Sequence, residues 1–336
     1  MRDIKVIGIP KEIKSNERRV SLIPKDVKEI VSLNINVIIE TNAGLGAGYK
    51  DDDYIEVGAV IFKTAKEIYD NSDMIVKVKE PQIDEYDMIK EGQIIFTFFH
   101  FASSIRLVEA MIKSKATCIA YEMIRKDNGI YPILAPMSKI AGEQAIIYAY
   151  NNTKGEENKE KDTITIIGLG NVGKASAIKA RELGYKKIIL MDIDNKRLEE
   201  FNDSNNNYYD ISIYKMEDIM RKSRIIVGSI YNFGSKASRL ITDRLMEYVM
   251  EECLIMDVAI DQGGITSQSS IRTIEDPIIN YKNVKIYCVP NIPSQVPIDA
   301  SRELSNVVIG YIKRIINKEI DDEIEGGIYM INGKLR

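Results

Sequence analysis

The run from Thr163 to Asp192, TITIIGLGNVGKASAIKARELGYKKIILMD, constrains this chain more than any other stretch. Thr163 to Ile167 is a short β-branched run that suits a buried parallel strand. Gly168, Gly170 and Gly173 follow in the pattern G-x-G-x-x-G. There the first glycine permits a tight turn, the second lets the backbone approach a pyrophosphate, and the third lets the helix pack on the strand. The helix expected from Val172 to about Leu183 aims free N–H groups and the positive end of its dipole at a phosphate. A second strand, Ile188 to Met191, ends in Asp192. A carboxylate there can accept hydrogen bonds from the adenosine ribose hydroxyls and would repel a 2′-phosphate. Strand, turn, helix, strand and acid in register predict a nucleotide-binding βαβ unit. Gly168, Gly170, Asn171, Val172, Gly173 and Asp192 would stand at the cofactor, and NAD is favoured over NADP. The competing reading is a doubly wound sheet whose glycine turn binds nothing.

Length and composition narrow the rest. A chain of 336 residues exceeds one ordinary core, so two domains are expected. A formal net charge of −4 and the lack of a basic stripe disfavour nucleic acid. No apolar run reaches the roughly 18 residues of a membrane span, and MRDIKVIGIPKE does not read as a signal peptide. Cys118, Cys253 and Cys288 lie far apart in apolar runs, as buried hydrophobes of a reducing compartment rather than disulfide or zinc ligands. A cytoplasmic protein without a metal site is expected. His100 is the single histidine, so any acid–base role for imidazole falls on it.

Along the chain, strand and helix patterns alternate. Strands are expected at 4–9, 37–40, 74–78, 93–98 and 117–121, and helices at 24–33 and 104–113. The second glycine cluster, Ala43 to Tyr49, precedes Lys50 and three aspartates, which disfavour a diphosphate, so it reads as a loop. Lys79 and His100 fall where strands end, the place where open α/β sheets bind ligands. Of Lys77 and Lys79, only one is expected to face the crevice. The charge run 153–162 reads as an exposed loop, the Asn-rich 201–210 as a loop, 285–289 as the last strand, and 299–317 as a long helix. The expected fold is α/β, with two Rossmann-like doubly wound domains. The substrate domain comprises 1–133 plus 300–336, so that the C-terminal segment completes the N-terminal domain, and the NAD domain comprises 134–299.

Several runs together then resemble the alanine dehydrogenase / pyridine nucleotide transhydrogenase family. They are GIPKEIKSNERRVSLIP, AGLGAGY, VKVKEP, EGQIIFTFFHFA, IAYE, LAPMS, GLGNVG with MDID, VAIDQGG and YCVPNIPSQVP, in family order over almost the whole chain. The resemblance implies that Arg19 holds a substrate carboxylate, Lys79 a substrate oxygen, His100 the acid–base role, and Asp261 a second catalytic place beside the nicotinamide. It also puts Ser138, Arg197, Ile230, Tyr231, Val258, Ala259, Ile260, Asp261, Val289, Asn291 and Ile292 at the cofactor.

The activity so implied is reversible NAD-dependent oxidative deamination of L-alanine to pyruvate and ammonium. The chemistry suits the residues. Arginine forks grip carboxylates, lysine stabilises developing charge on oxygen, and imidazole can take a proton from the water that attacks an imine. The expected partners are small amino and 2-oxo acids and copies of the chain itself, as a dimer or hexamer. The alternatives are a related NAD(P)-dependent amino-acid or opine dehydrogenase, of the carboxyethylornithine synthase kind, or a non-catalytic transhydrogenase-like nucleotide-binding subunit. Departures from the family pattern are the missing glycine-rich loop before the NAD strand, Pro290, Ile292, Tyr231-Asn232-Phe233 and a short tail.

Overall fold

Short apolar runs, too short for buried helices and bounded by polar turns, become two sheets of mainly parallel strands. A computed structural model describes residues 3–201, 206–210, 215–230 and 237–336. Its contacts divide the chain into a first unit, up to Met137 together with Ser294–Arg336, and a second, Ser138–Pro293.

In the first unit the strands are β1 (Val6–Ile9), β2 (Asn36–Glu40), β3 (Val60–Phe62), β4 (Met74–Lys79), β5 (Ile94–Phe98) and β6 (Thr117–Ala120). They pair in parallel in the order β3-β2-β1-β4-β5-β6. Every residue of β4, β5 and β6 is buried, as expected of central strands covered on both faces. Strand order reverses between β1 and β4, and a ligand crevice is expected at the carboxyl ends there. The chain's last hairpin, Ile328–Ile331 with Lys334–Leu335, pairs antiparallel with β6. The helix Pro297–Ile316 is stitched to the segment before the first helix. Ser301 Oγ accepts the Val20 N–H and Ser305 Oγ the Ile23 N–H, each at 3.0 Å. Ser305 Oγ in turn donates to Asp26. The C-terminal segment thus completes the N-terminal unit.

The second unit holds β7 (Thr163–Ile167), β8 (Lys187–Asp192), β9 (Asn206–Asp210), β10 (Ser223–Gly228), β11 (Leu254–Asp257), β12 (Ile278–Tyr281) and β13 (Val284–Tyr287). The order is β9-β8-β7-β10-β11-β13-β12, parallel except at β12. Both units are therefore doubly wound, and in the second the order reverses between β7 and β10, where the GLGNVG turn lies.

The structure corrects several local expectations. Residues 206–210, expected as loop, form β9, because pairing from Ile188↔Asn206 to Asp192↔Asp210 satisfies the backbone whatever the side chains prefer. The strand near 285–289 is not the last; the hairpin after it turns at Asn332-Gly333, with φ of 48° and 75°. Such an Asn-Gly pair is the residue signal for a two-residue hairpin turn. The charge run 153–162 is not wholly an exposed loop. It contains the short helix Gly155–Asn158 and buries Thr153 and Gly155. After the second glycine cluster, Asp51–Ile55 is a short helix, and Asp51 accepts from Thr41 Oγ1 and the Asn42 N–H. Carboxylates occupy that helix's first turn, where an anionic ligand would otherwise sit.

Candidate active site

In the first unit, charged side chains collect at the carboxyl ends of the strands. The segment after β1 brings Glu12, Lys14, Glu17 and Arg19; β4 ends in Lys79, β5 runs into His100, and Glu122 follows β6. Residues two apart on an uninterrupted strand share a face, which would put Lys77 and Lys79 together. The register between β4 and β5 slips between Val76 and Lys79, a bulge that separates them. Lys77 Nζ pairs with Glu85 at 2.9 Å and Glu12 at 3.3 Å, wholly buried. Lys79 lies close enough to His100 and Glu122 for its charge to act on both. Glu12 Oε1 accepts the N–H groups of Val78 at 2.6 Å and Lys79 at 3.3 Å, on the bulge itself. Burial raises the Glu12 carboxyl to about 7, against the pull of Lys77 and with the push of Glu17 and Glu85.

Arg19 and Glu17 form a buried bidentate pair. Arg19 Nε donates to Glu17 Oε1 at 2.8 Å and Nη2 to Oε2 at 2.6 Å, while Nη1 lies 3.2 Å from Met137 Sδ. One edge of the guanidinium is thus engaged within the protein.

His100 has a left-handed backbone, φ 49° and ψ 45°. For a non-glycine residue that conformation costs about 1–3 kcal/mol and persists only where its surroundings enforce it. The imidazole stacks parallel to the Phe98 ring at 5.8 Å. Burial, then the charges of Lys79, Lys14 and Arg19, push its pKa down to about 3. The ring is therefore neutral near pH 7, a base waiting for a proton among cations waiting for an anion.

In the second unit the three glycines are required for three different reasons. Gly168 has φ 94°, and a Cβ there would lie 2.9 Å from the Ser229 carbonyl oxygen. A Cβ on Gly173 would lie 1.9 Å from the Gly168 carbonyl oxygen, so the helix Asn171–Glu182 could not approach the strand. At Gly170 a Cβ would meet nothing within 4 Å. That open ground stands before a helix that starts without a side-chain cap, so the first-turn N–H groups of Asn171, Val172 and Gly173 have the arrangement a diphosphate needs. Buried Asp192 accepts the Leu169 N–H at 2.6 Å and the Asp194 N–H at 2.9 Å, with Arg197 Nη1 at 3.7 Å. These residues fit a dinucleotide.

After β11, Asp257 accepts the Ile265 N–H at 2.9 Å and the Ser269 hydroxyl, and shapes the loop that follows. The Val258 N–H donates to the Gly228 carbonyl at 3.0 Å. Exposed Asp261 accepts the Asn291 N–H at 3.3 Å, with Asn291 left-handed at φ 55°. Ala259, Ile260, Val289 and Ile292 are buried in the unit's cores and Ile230 packs against one of them. Any role of these five toward a cofactor falls mainly to their backbone. Ser138 opens the second unit, half-buried. Tyr231 lies outside the described residues.

Comparison with known proteins places the chain in a family. The family model "Alanine dehydrogenase/PNT, N-terminal domain" matches residues 8–141, and "Alanine dehydrogenase/PNT, C-terminal domain" matches 155–336. The chain belongs to the alanine dehydrogenase/PNT family. An alanine dehydrogenase of Methanococcus maripaludis is 35% identical over 98% of this chain and 94% of its own length. One of Staphylococcus saprophyticus is 34% identical over the same shares. A solved L-alanine dehydrogenase superposes with a TM-score of 0.90 at 31% identity, over 98% of this chain and 96% of its own. A transhydrogenase from Sinorhizobium meliloti, at 20% identity and a TM-score of 0.85 over 98% of both chains, shares the fold. Among the described residues no helix is long and apolar enough to cross a membrane.

Within this family member, Lys79, Arg19 and His100 are close enough for the two cations to act on the imidazole, and Asp261 meets Asn291. Unforeseen from sequence were Glu12, Lys14, Glu17, Glu85 and Glu122, which pair with the site's charges or surround them, as was the pairing of Lys77 with Glu12 and Glu85. A signal for them existed, since each cation in an apolar run needs a buried carboxylate. Which carboxylate serves which cation depends on segments far apart in the chain.

Proposed function

We propose that this chain is an NAD-dependent alanine dehydrogenase that converts L-alanine, water and NAD into pyruvate, ammonium and NADH, reversibly. The observation that carries the reading is the placing of the single imidazole, His100, among the cations Lys79, Lys14 and Arg19. A base among cations suits a small substrate that presents a carboxylate and must lose a proton. Family membership and the full-length likeness to alanine dehydrogenases support the substrate.

Bound NAD supplies a hydride acceptor for the alanine Cα. The residues of this chain bind, orient and move protons. Arg19 takes the substrate carboxylate and Lys79 a substrate oxygen, with Glu17 holding the guanidinium through Nε and Nη2. That carboxylate offsets the cations that depress His100 and raises its pKa toward the range where a general base works. His100 then takes a proton from the water that adds to the imine carbon, and returns it as the amine leaves. Asp261 is the second catalytic group, beside the nicotinamide. Gly168, Gly170, Gly173 and the helix start hold the diphosphate, and Asp192 the ribose; its negative charge sets NAD over NADP. Ser138, Arg197, Ile230, Tyr231, Val258 to Ile260, Val289, Asn291 and Ile292 complete the cofactor's surroundings.

The enzyme is read as a cytoplasmic homo-oligomer, which size-exclusion chromatography with light scattering checks. The function is tested by following NADH absorbance with purified protein, NAD and L-alanine. NADH should form with alanine and be reduced at least about 100-fold in His100→Ala. Turnover of some other amino acid with none of alanine would overturn the substrate.

A further inference from the structure

The ladder between β5 and β6 ends at Thr97↔Ala120. Beyond it the N–H groups of Phe99 and His100 have no strand to pair with. The Glu122 side chain collects both, Oε2 from Phe99 at 3.2 Å and Oε1 from His100 at 2.6 Å. Glu122 is itself buried, at 6% exposure, on the turn Tyr121–Met123 that follows β6. The two N–H groups it holds belong to the residue before the left-handed turn and to the left-handed residue itself. On the other side, the imidazole is held by the Phe98 ring, and Phe98 packs edge-on against Tyr121, the neighbour of Glu122.

We propose that Glu122 is a positioning residue, whose carboxylate clamps two successive backbone N–H groups, holds His100 in its left-handed conformation and so aims the imidazole. The inference rests on His100 as the acid–base group. Glu122 acts through the backbone of His100, whose N–H and that of Phe99 it accepts. A carboxylate is the residue type the place requires: two divergent oxygens can each accept one N–H, and although burial raises the carboxyl, those two N–H groups and Lys79 oppose the rise. Glutamine keeps one acceptor and brings a donor against the second N–H; alanine keeps neither.

His100 is the chain's only histidine, so an untagged protein gives imidazole C–H resonances that report this ring alone. The full-length enzyme is compared as wild type, Glu122→Gln, Glu122→Ala, His100→Ala and the Glu122→Ala/His100→Ala double variant. Misplacing a catalytic group by about 1 Å costs on the order of 100-fold. Glu122→Ala should therefore lower kcat about 100-fold with KM for NAD unchanged, and Glu122→Gln should restore about tenfold of that loss. The double variant should be no slower than His100→Ala, and the imidazole resonances should shift or broaden in both Glu122 variants. Should Glu122→Ala not fold, Glu122→Gln decides through kcat and the resonances. Wild-type kcat with unmoved resonances in Glu122→Gln, or losses that multiply in the double variant, would overturn the proposal. Full activity in His100→Ala would instead sink the role of His100; moved resonances with a silent His100 would still show the clamp.

Discussion

A Cβ on Gly173 would sit 1.9 Å from the carbonyl oxygen of Gly168. The first and third glycines of the turn are thus bound to each other by sterics. The second, Gly170, faces open ground, which separates packing from binding within one motif. Gly173→Ala should destabilise the fold by about 1–3 kcal/mol through overpacking, read as a lower urea midpoint. Gly170→Ala should leave the midpoint within about 0.5 kcal/mol, yet weaken NADH binding about tenfold by fluorescence titration, because the methyl stands where the diphosphate approaches.

Arg19 and Glu17 are buried together at 2% and 0% exposure. Removing one partner strands the other charge out of water. Glu17→Ala should cost about 3–5 kcal/mol, measured by chemical unfolding. Arg19→Lys, which cannot offer a planar fork, should recover little of the bidentate pair's contribution. Equal stability of Glu17→Ala and wild type would contradict the buried pair.

The ammonium of Lys77 offsets two buried carboxylates. The Glu12 carboxyl is raised to about 7 from an ordinary 4.5. The stability it contributes is present below 4.5 and lost as pH rises through 7. Lys77→Met removes the opposing charge, so its penalty should reach about 3–5 kcal/mol in mildly alkaline buffer and shrink on acidification as Glu12 takes a proton. A penalty that grows toward acid would reverse the sign expected.

His100 behaves in the opposite sense. Its pKa falls to about 3 from an ordinary 6.5, so its contribution is present above 6.5 and is lost as pH falls toward 3. His100→Gln should therefore gain stability relative to wild type as pH drops below 6.5. By proton NMR the single imidazole should stay neutral to about pH 5 in the free enzyme. With pyruvate bound it should titrate at higher pH, because the carboxylate offsets the cations that depress it. An imidazole titrating near 6.5 in the free enzyme would refute the arrangement of charges.

The alternating apolar runs and the glycine pattern are local properties, which is why both doubly wound units and the turn at Gly168 were legible in the chain. Periodicity needs only neighbours within a few residues, and the glycine pattern is confined to six positions even though Gly168 also answers to the distant Ser229 carbonyl. The edge strand at Asn206–Asp210 was not legible, since its backbone is satisfied by β8 and the strand preference of Tyr208 and Tyr209 is outweighed by asparagine and aspartate around them. The hairpin turn at Asn332-Gly333 carries its own local signal, an Asn-Gly pair with positive φ at both residues.

The polar site divides along the same line. The residue types of the chemistry, one imidazole, an arginine and a lysine at strand ends, stand in the sequence by themselves. Only the tertiary structure decided that the register slips between Val76 and Lys79 and that Lys77 is taken up by Glu12 and Glu85. It also decided that Glu17 occupies one edge of Arg19 and that Glu122, twenty-two residues on, clamps the His100 backbone. The reason is physical. A buried charge must find a counter-charge or a donor wherever the fold places one, and in a doubly wound unit those partners arrive from the ends of different strands, far apart in sequence.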